Sequence, residues 1–261
     1  MLSVDTGFVF ALRQESEGIL DRLKRPQATR GNGWTFRSGQ IDGTSIALVF
    51  SGIGQKNAEE ATNILIDVFA PKSICSAGYA GGLSSRLRQS DICVPEQVIR
   101  VSDRQALDLS GTIPRKTLPM PGKLTLLTVN DVAASPEQKR TLHEQTGGEL
   151  VDMETFAVAE VCRVRNISFF PIRVILDAVD DRIPSDITKI LESFDKGVSR
   201  LSGTILGSIW ARPSVMRDLV SLKRRAFTAT EHLARFIIAE LSRRKSTVGT
   251  KNSVQIPWAS N

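Results

Sequence analysis

The chain is poor in histidine, cysteine and tyrosine. Its 261 residues include two histidines, three cysteines and one tyrosine. Cys75, Cys93 and Cys162 lie in apolar segments without metal-ligand spacing, and their odd number favours reduced core residues of a cytoplasmic protein. His143 and His232 fall in charged helical segments, where we expect them to be solvated. This disfavours a serine or cysteine hydrolase, because such enzymes need a histidine base.

Long apolar runs are also absent. No stretch approaches the roughly 20 apolar residues that cross a bilayer as a helix. The N-terminus, Met1 to Asp5, lacks the basic and apolar regions of a signal peptide. We therefore expect neither secretion nor a membrane span.

The positive charge is concentrated near the C-terminus. The chain carries a net charge of +6, and the segment 212–245 alone holds nine basic and three acidic residues. The rest is therefore balanced, which argues against a nucleic-acid-binding core. With 41% hydrophobic residues, the chain can bury a substantial core. We expect a main domain over 1–208, a basic helical extension over 209–245 and a disordered polar tail over 246–261.

Strand-like and helix-like segments alternate along the main domain. This alternation predicts a three-layer αβα fold around a mixed, mostly parallel twisted sheet, followed by the C-terminal helical extension. The turn Asp42-Gly43 predicts a hairpin, and Ser135-Pro136 predicts a helix start. Residues 102–122 are typical of a long loop that carries specificity. Strands are predicted near 7–12, 34–39, 44–51, 72–77, 91–99, 123–129 and 169–177, and helices near 14–24, 55–69, 136–146, 154–165 and 187–208.

Three carboxylates lie where predicted strands end. Glu15 follows the first strand, Glu154 follows residues 149–153 and opens a helix, and Asp177 closes the run from Phe169. Ligands of open α/β sheets bind at the carboxyl ends of the strands, and paired carboxylates perform acid–base chemistry. The three residues together therefore indicate a site. Each also has a structural alternative, since a carboxylate in the first turn complements the helix dipole.

Two glycine-containing segments also follow predicted strands. Residues 78–83 contain three glycines and would bring backbone amides close to an anion or to sugar hydroxyls. Residues 51–54, Ser-Gly-Ile-Gly, join a strand to a helix N-terminus, which suits an anion. A tight turn and a compact connection are the structural alternatives. Neither segment has the spacing of a dinucleotide or P-loop motif.

The order of these segments resembles the nucleoside phosphorylase superfamily. The resemblance covers residues 6 to 208 and is strongest to the branch that contains 5′-methylthioadenosine/S-adenosylhomocysteine nucleosidase. The segment 205–226, with Trp210-Ala211-Arg212-Pro213, resembles instead the tail of hopanoid-associated phosphorylases. Five blocks in order carry the resemblance: Ala11-x-x-x-Glu15, Ser51-Gly52-Ile53-Gly54, Ala77-Gly78-Tyr79-Ala80-Gly81-Gly82-Leu83, Val151-Asp152-Met153-Glu154 and Arg173-x-x-x-Asp177.

The resemblance implies cleavage of the N-glycosidic bond of an adenine nucleoside. Hydrolysis is the first expectation, and phosphorolysis is the alternative, with a lipid-linked adenosine as the substrate that the resemblance to hopanoid-associated phosphorylases implies. In this interpretation Asp177 protonates purine N7, Glu154 binds the ribose hydroxyls and Glu15 activates the water. Further substrate-binding residues would be Met153, Gly78, Tyr79, Ala80, Gly81, Asp152, Val132 and Ala133, with Gly54, Arg13 and Lys56 on the side of the nucleophile.

Three positions depart from the family pattern. Tyr79 replaces a small residue, Leu176 replaces a serine before the catalytic aspartate, and Val132-Ala133 stand where nucleosidases place a phenylalanine. The base pocket is therefore less aromatic. A catalytically inactive binding module is a further alternative, against which the three intact carboxylates argue.

The partners follow from the same resemblance and from the basic segment. The family implies a homo-oligomer with a small nucleoside substrate and, in the phosphorolytic alternative, phosphate; no metal, organic cofactor or nucleic acid is called for. The apolar stripe of the basic helix over 212–245 suits either an anionic membrane surface or packing on the body or a second subunit. We favour packing, because amphipathic helices usually bury their stripe.

Overall fold

The structure, a computed structural model, describes residues 3–111, 119, 122–183 and 213–248, and in the last helix the side chains of 224–244. The helix predicted over 187–208 and residues 249–261 of the predicted tail lie outside the described residues, whereas residues 246–248 of that tail belong to the last helix. The strands are β1 (Thr6–Phe10), β2 (Lys24–Gly31), β3 (Trp34–Ile41), β4 (Thr44–Phe50), β5 (Ser73–Gly82), β6 (Ile92–Cys93), β7 (Gln97–Arg100), β8 (Gln105–Asp108), β9 (Thr125–Thr128), β10 (Leu150–Asp152) and β11 (Ser168–Asp177). The helices are α1 (Glu17–Leu20), α2 (Gln55–Phe69), α3 (Pro136–Thr146), α4 (Thr155–Val164) and α5 (Pro213–Val248), and a 3₁₀ turn covers Arg13–Ser16.

The strands form one mixed sheet, which confirms the predicted architecture. Its order is β2-β3-β4-β1-β5-β10-β9-β7-β8, with β11 paired to β5 and β6. The pairs β1–β4, β1–β5 and β5–β11 are parallel, whereas β5–β10 and the hairpin β3–β4 are antiparallel. The β3–β4 turn has positive φ at both Asp42 and Gly43, as a tight hairpin requires.

Helices cover both faces of the sheet. On one face, α2 and α4 pack together and bury apolar residues at helical spacing, among them Ala58, Ala61 and Leu65 of α2. On the other face, α1 and α5 cover β1, β4 and β11. The three cysteines lie buried as free thiols.

Over the side chains described, 224–244, helix α5 buries part of its apolar stripe on the body. Leu233, Ile237 and Leu241 join the core that contains Phe8 and Phe170. The Arg244 guanidinium lies 3.7 Å from the centre of the Phe170 ring. These residues are covered, whereas Phe227 on the same helix is 70% exposed. None of the described helices has the length and apolarity needed to cross a bilayer.

The helix predicted over 14–24 is wrong. Only Arg13–Ser16 and Glu17–Leu20 are helical, and β2 runs from Lys24 through Pro26. Proline is tolerated here because β2 is an edge strand with a register shift between Lys24 and Gln27.

The glycine segment 78–83 was predicted as a loop, but β5 continues through it to Gly82. Pairing with β11 on one edge and with β10 at Gly81–Gly82 keeps it extended. The single strand predicted over 91–99 is two strands, β6 and β7, and β8 lies within the loop predicted over 102–122. The start of α3 is confirmed, since Ser135 Oγ accepts a hydrogen bond from Gln138 N at 3.2 Å.

Candidate active site

A gap between two partners of β5 forms a cavity. Strand β1 pairs with β5 only as far as Ser76, and β10 begins to pair with it at Gly81. Strand β11 pairs with the opposite edge of β5. On the edge that faces β1 and β10, residues 77–80 of β5 therefore lie in the gap between the end of one partner strand and the start of the other. The cavity is lined by Val9, Ala11, Glu15, Ser51, Ser76, Ala77, Gly78, Tyr79, Glu154 and Arg173.

Glu15 is held at this gap by both of its carboxylate oxygens. The 3₁₀ turn after β1 directs the side chain back, so that Oε2 accepts from Leu12 N and Oε1 from Tyr79 N, each at 2.8 Å. Glu15 is 4% exposed. Burial raises its pKa, against the opposing effect of the two amides and of Arg173. The result is a fixed carboxylate of increased basicity.

Arg173 forms the floor of the cavity through a buried polar network. Its Nε and Nη2 atoms lie 3.1 and 2.8 Å from Asp152 Oδ2, and Nη2 also donates to Ser76 Oγ at 2.7 Å. Nη1 donates to Ser76 O at 2.8 Å. Thr128 Oγ1 donates to the other Asp152 oxygen at 2.8 Å. Three strands, β5, β10 and β11, are thereby tied together beneath the site.

Glu154 enters the cavity from the N-terminus of α4. Its Oε1 accepts a hydrogen bond from Gly54 N at 2.7 Å, which links the starts of α2 and α4. Burial and the nearby charge of Asp152 raise the pKa of Glu154. Gly54 has a φ of 97°, a backbone conformation that favours glycine.

Asp177 closes β11 beside the cavity rather than in its lining. A register shift between Ile175 and Asp177 interrupts the pairing with β5. A Cβ added at Gly81 would lie 3.4 Å from Asp177 Oδ2, so the carboxyl group packs closely on this glycine. Lys139 of α3 forms an ion pair with Asp177. Burial raises the pKa of Asp177, while Lys139 opposes the rise.

The comparison with protein families gives this geometry its context. The family model described as the phosphorylase superfamily matches residues 5–121 and 123–209. The chain belongs to the phosphorylase superfamily.

Proteins that are similar to this chain include nucleosidases. A 5′-methylthioadenosine/S-adenosylhomocysteine nucleosidase of Pseudoalteromonas translucida is 24% identical over 233 residues, which are 80% of this chain and 99% of the relative. The adenine complex of the corresponding Colwellia psychrerythraea nucleosidase superposes with a TM-score of 0.69 at 21% identity, over 92% and 96% of the two chains. The futalosine hydrolase of Helicobacter pylori gives a TM-score of 0.68 at 17% identity, over 92% and 98%. These likenesses show the shared fold.

In this phosphorylase-superfamily chain, Tyr79 joins the cavity to α5. Its backbone N–H holds Glu15, while its hydroxyl group lies 2.7 Å from Thr230 Oγ1. Thr230 Oγ1 donates to Gln14 O at 3.1 Å. Through Thr230, helix α5 is therefore hydrogen-bonded both to Gln14, which precedes Glu15, and to Tyr79, whose N–H holds the Glu15 carboxylate.

Several predicted residues lie away from the cavity lining. Arg13 and Lys56 are exposed, and the N–H of Gly54 is used by Glu154. Asp152 lies in the network beneath the floor, bonded to Arg173.

The predicted base-side residues lie elsewhere around β5. Ala133 packs with Leu83 and Val151 in a small apolar cluster, and Met153 and Val132 are partly buried. Ala80 and Gly81 continue β5 beyond the lining residues toward Asp177.

Sequence reasoning assigned no role to Ser51, Ser76, Lys139 or Arg173. Arg173 did leave a signal, because it is the single charge within the apolar run 169–176. A charge at such a position is buried and needs partners. Lys139 left none, since it belongs to a helix rich in polar residues.

Proposed function

We propose that this chain is a nucleosidase that hydrolyses the N-glycosidic bond of an adenine nucleoside. The observation that carries the proposal is Glu15, a buried carboxylate fixed by two amides beside Arg173 and Ser76. It is supported by relatives described as 5′-methylthioadenosine/S-adenosylhomocysteine nucleosidases, and by the adenine bound to one of similar fold.

The three carboxylates take separate roles in the proposed reaction. An adenine anion is a poor leaving group, so Asp177 protonates N7 as the bond to the sugar breaks. The sugar then develops positive charge, which the negative charge of Glu154 stabilises while its oxygens accept hydrogen bonds from the ribose hydroxyls. Glu15 accepts a proton from the water that attacks the anomeric carbon. The resulting products are free adenine and the sugar.

The charges around the cavity favour water over phosphate as the nucleophile. Among the described residues that line the cavity, Arg173 is the one cation, and all three of its nitrogens already bond to Asp152, Ser76 or a main-chain carbonyl. Glu15 and Glu154 line the same space. A phosphate anion would therefore meet two carboxylates without an available guanidinium.

The nucleophile is tested by measuring base release with and without phosphate. We expect adenine release from adenosine, methylthioadenosine or S-adenosylhomocysteine to proceed at the same rate in phosphate-free buffer, with the reducing sugar as product. Inosine serves as the control for base selectivity. A strict phosphate requirement with formation of a sugar 1-phosphate would instead establish phosphorolysis.

Gly78 offers a test of the position of Glu15. A Cβ at residue 78 would lie 2.5 Å from Glu15 Oε1, so Gly78→Ala must displace the carboxylate. We expect kcat to fall by about 100-fold, the effect of misplacing a catalytic group by about 1 Å. Gly82→Ala in the same strand is the matched control, because its Cβ would meet its nearest neighbours at 3.5 Å. Equal activity of the two variants would contradict the role of Glu15.

The cellular location and the assembly of the enzyme are part of the same proposal. A cytoplasmic location agrees with the three buried free thiols. Assembly as a homo-oligomer follows from the family resemblance. Because Leu233, Ile237 and Leu241 of α5 are buried, a peripheral membrane contact through 212–245 would depend on exposed residues such as Phe227, Arg224 and Arg235.

A further inference from the structure

Lys139 is a fully buried ammonium group at the edge of the proposed site. Its relative exposure is 0%, although it lies on a helix of mostly polar residues. The Nζ atom donates to Ala178 O at 2.7 Å and to Asp181 O at 2.8 Å, and it forms an ion pair with Asp177 Oδ2. Burying an ammonium is costly unless every donor finds an acceptor. The three acceptors all come from the segment that begins with Asp177.

The charges that face Asp177 come from three elements. Lys139 reaches it from α3, Asp181 follows it on the same segment, and Arg225 approaches from α5. Arg225 pairs with Asp181 at 3.2 Å. Of these groups, Lys139 alone bonds directly to the Asp177 carboxyl group. Leu176 gives Asp177 no polar neighbour on its own strand, so α3 supplies one.

We propose that Lys139 is a positioning residue that orients the Asp177 carboxyl group and stabilises the carboxylate that remains after its proton has moved to the purine. The proposal rests on the proposed function. In the step, the O–H bond at Asp177 Oδ1 breaks and the N7–H bond forms. The electron pair of the C1′–N9 bond passes to the base, which leaves neutral. Lys139 keeps its protons and faces the new negative charge on Oδ2.

The charge of Lys139 makes Asp177 a stronger acid than burial alone would allow. Burial raises the pKa of Asp177, and Lys139 opposes that rise. Without Lys139 only the charge of Arg225 opposes the rise, so the carboxyl group stays protonated to higher pH but donates its proton less readily. The rate should therefore fall, while the alkaline limb of the pH–rate profile shifts to higher pH.

The test compares Lys139→Met with Arg140→Met. The control changes the next residue of the same helix, whose partner Asp180 is exposed. For Lys139→Met we expect a fall in kcat for adenine release of about 10–100-fold, with KM changed by less than about threefold. The alkaline limb of the pH–rate profile should shift to higher pH by about one unit. Arg140→Met should leave both unchanged.

A leaving group that needs no protonation separates catalysis from folding. Hydrolysis of 4-nitrophenyl riboside does not require an acid at N7, so Lys139→Met should cleave it as fast as the unchanged protein. Equal losses on adenosine and on the nitrophenyl riboside, or an unmoved alkaline limb, would overturn the proposal. If Lys139→Met does not fold, Lys139→Ala assayed with methylammonium takes its place, and absence of rescue counts against the proposal.

Asp177→Asn distinguishes this proposal from the proposed function. If Asp177→Asn keeps only a residual rate on adenine nucleosides and Lys139→Met does not lower that rate further, Lys139 acts through Asp177. If Asp177→Asn is inactive but Lys139→Met retains the original rate and profile, only the role of Lys139 fails. If Asp177→Asn retains full activity, the proposed function itself fails.

Discussion

Replacing Asp177 by asparagine is expected to lower kcat for adenine release by about 10³–10⁴-fold, the upper range for loss of a general acid. Asparagine keeps the shape of the side chain but cannot give a proton to N7. Because substrate contacts are otherwise unchanged, KM should change little. Steady-state assays with adenosine and methylthioadenosine measure both parameters. Asp180→Asn is the matched control, since that carboxylate is 77% exposed and pairs with Arg140 at the surface.

The pH dependence checks the same role. Burial raises the pKa of Asp177 and of Glu15. The proposed reaction needs Asp177 protonated and both Glu15 and Glu154 ionised, and burial together with the nearby Asp152 charge raises the pKa of Glu154 to about 8. Activity should therefore decline as pH rises through the raised pKa of Asp177, and as pH falls through the raised pKa values of Glu154 and Glu15. An Asp177→Asn variant within threefold of the original rate, or one with an unchanged alkaline limb, would exclude Asp177 as the acid.

Elements with local signals were predictable from the sequence. The apolar spacing of α2, the Asp42-Gly43 turn and the Ser135 cap each depend on residues within one or two turns of chain. The glycines of β5 misled prediction, because glycine has weak intrinsic preference for a strand. What keeps residues 78–82 extended is pairing with β10 and β11, which are about 70 to 100 residues away in sequence.

The residues of the candidate site also differ in how far the sequence predicts them. Glu15, Glu154 and Asp177 were predicted from their position at strand ends, a rule that depends on sheet topology; Glu15 and Glu154 line the cavity, and Asp177 lies beside it. Lys139 could not be found, because its burial follows from packing of α3 on the segment after β11. Contacts across such distances leave no periodicity in the sequence. Tyr79 was known to depart from the family pattern, but its partner Thr230 lies 151 residues away.

Arg173→Met is expected to have the largest effect on stability. The guanidinium and its partner Asp152 are almost fully buried, with 3% and 1% of their side chains exposed. Methionine fills similar volume but leaves the Asp152 charge without its cation. Breaking a buried pair from one side destabilises a protein by about 3–5 kcal/mol. Urea unfolding followed by circular dichroism measures this change in the free energy of unfolding.

A surface pair and a double variant show whether the charge is responsible. Arg165→Met removes a pair with Asp67 whose side chains are 37% and 59% exposed, so it should cost about 0–1 kcal/mol. In Arg173→Met with Asp152→Asn no buried charge remains unpaired, and part of the lost stability should return. If Arg173→Met lowered the free energy of unfolding no more than Arg165→Met, the buried network would not be a major source of stability. Because Arg173 also holds down the pKa of Glu15, its loss should move the acid limb of the activity profile to higher pH. The cation that ties β5, β10 and β11 together would then also set the pH at which the proposed base begins to work.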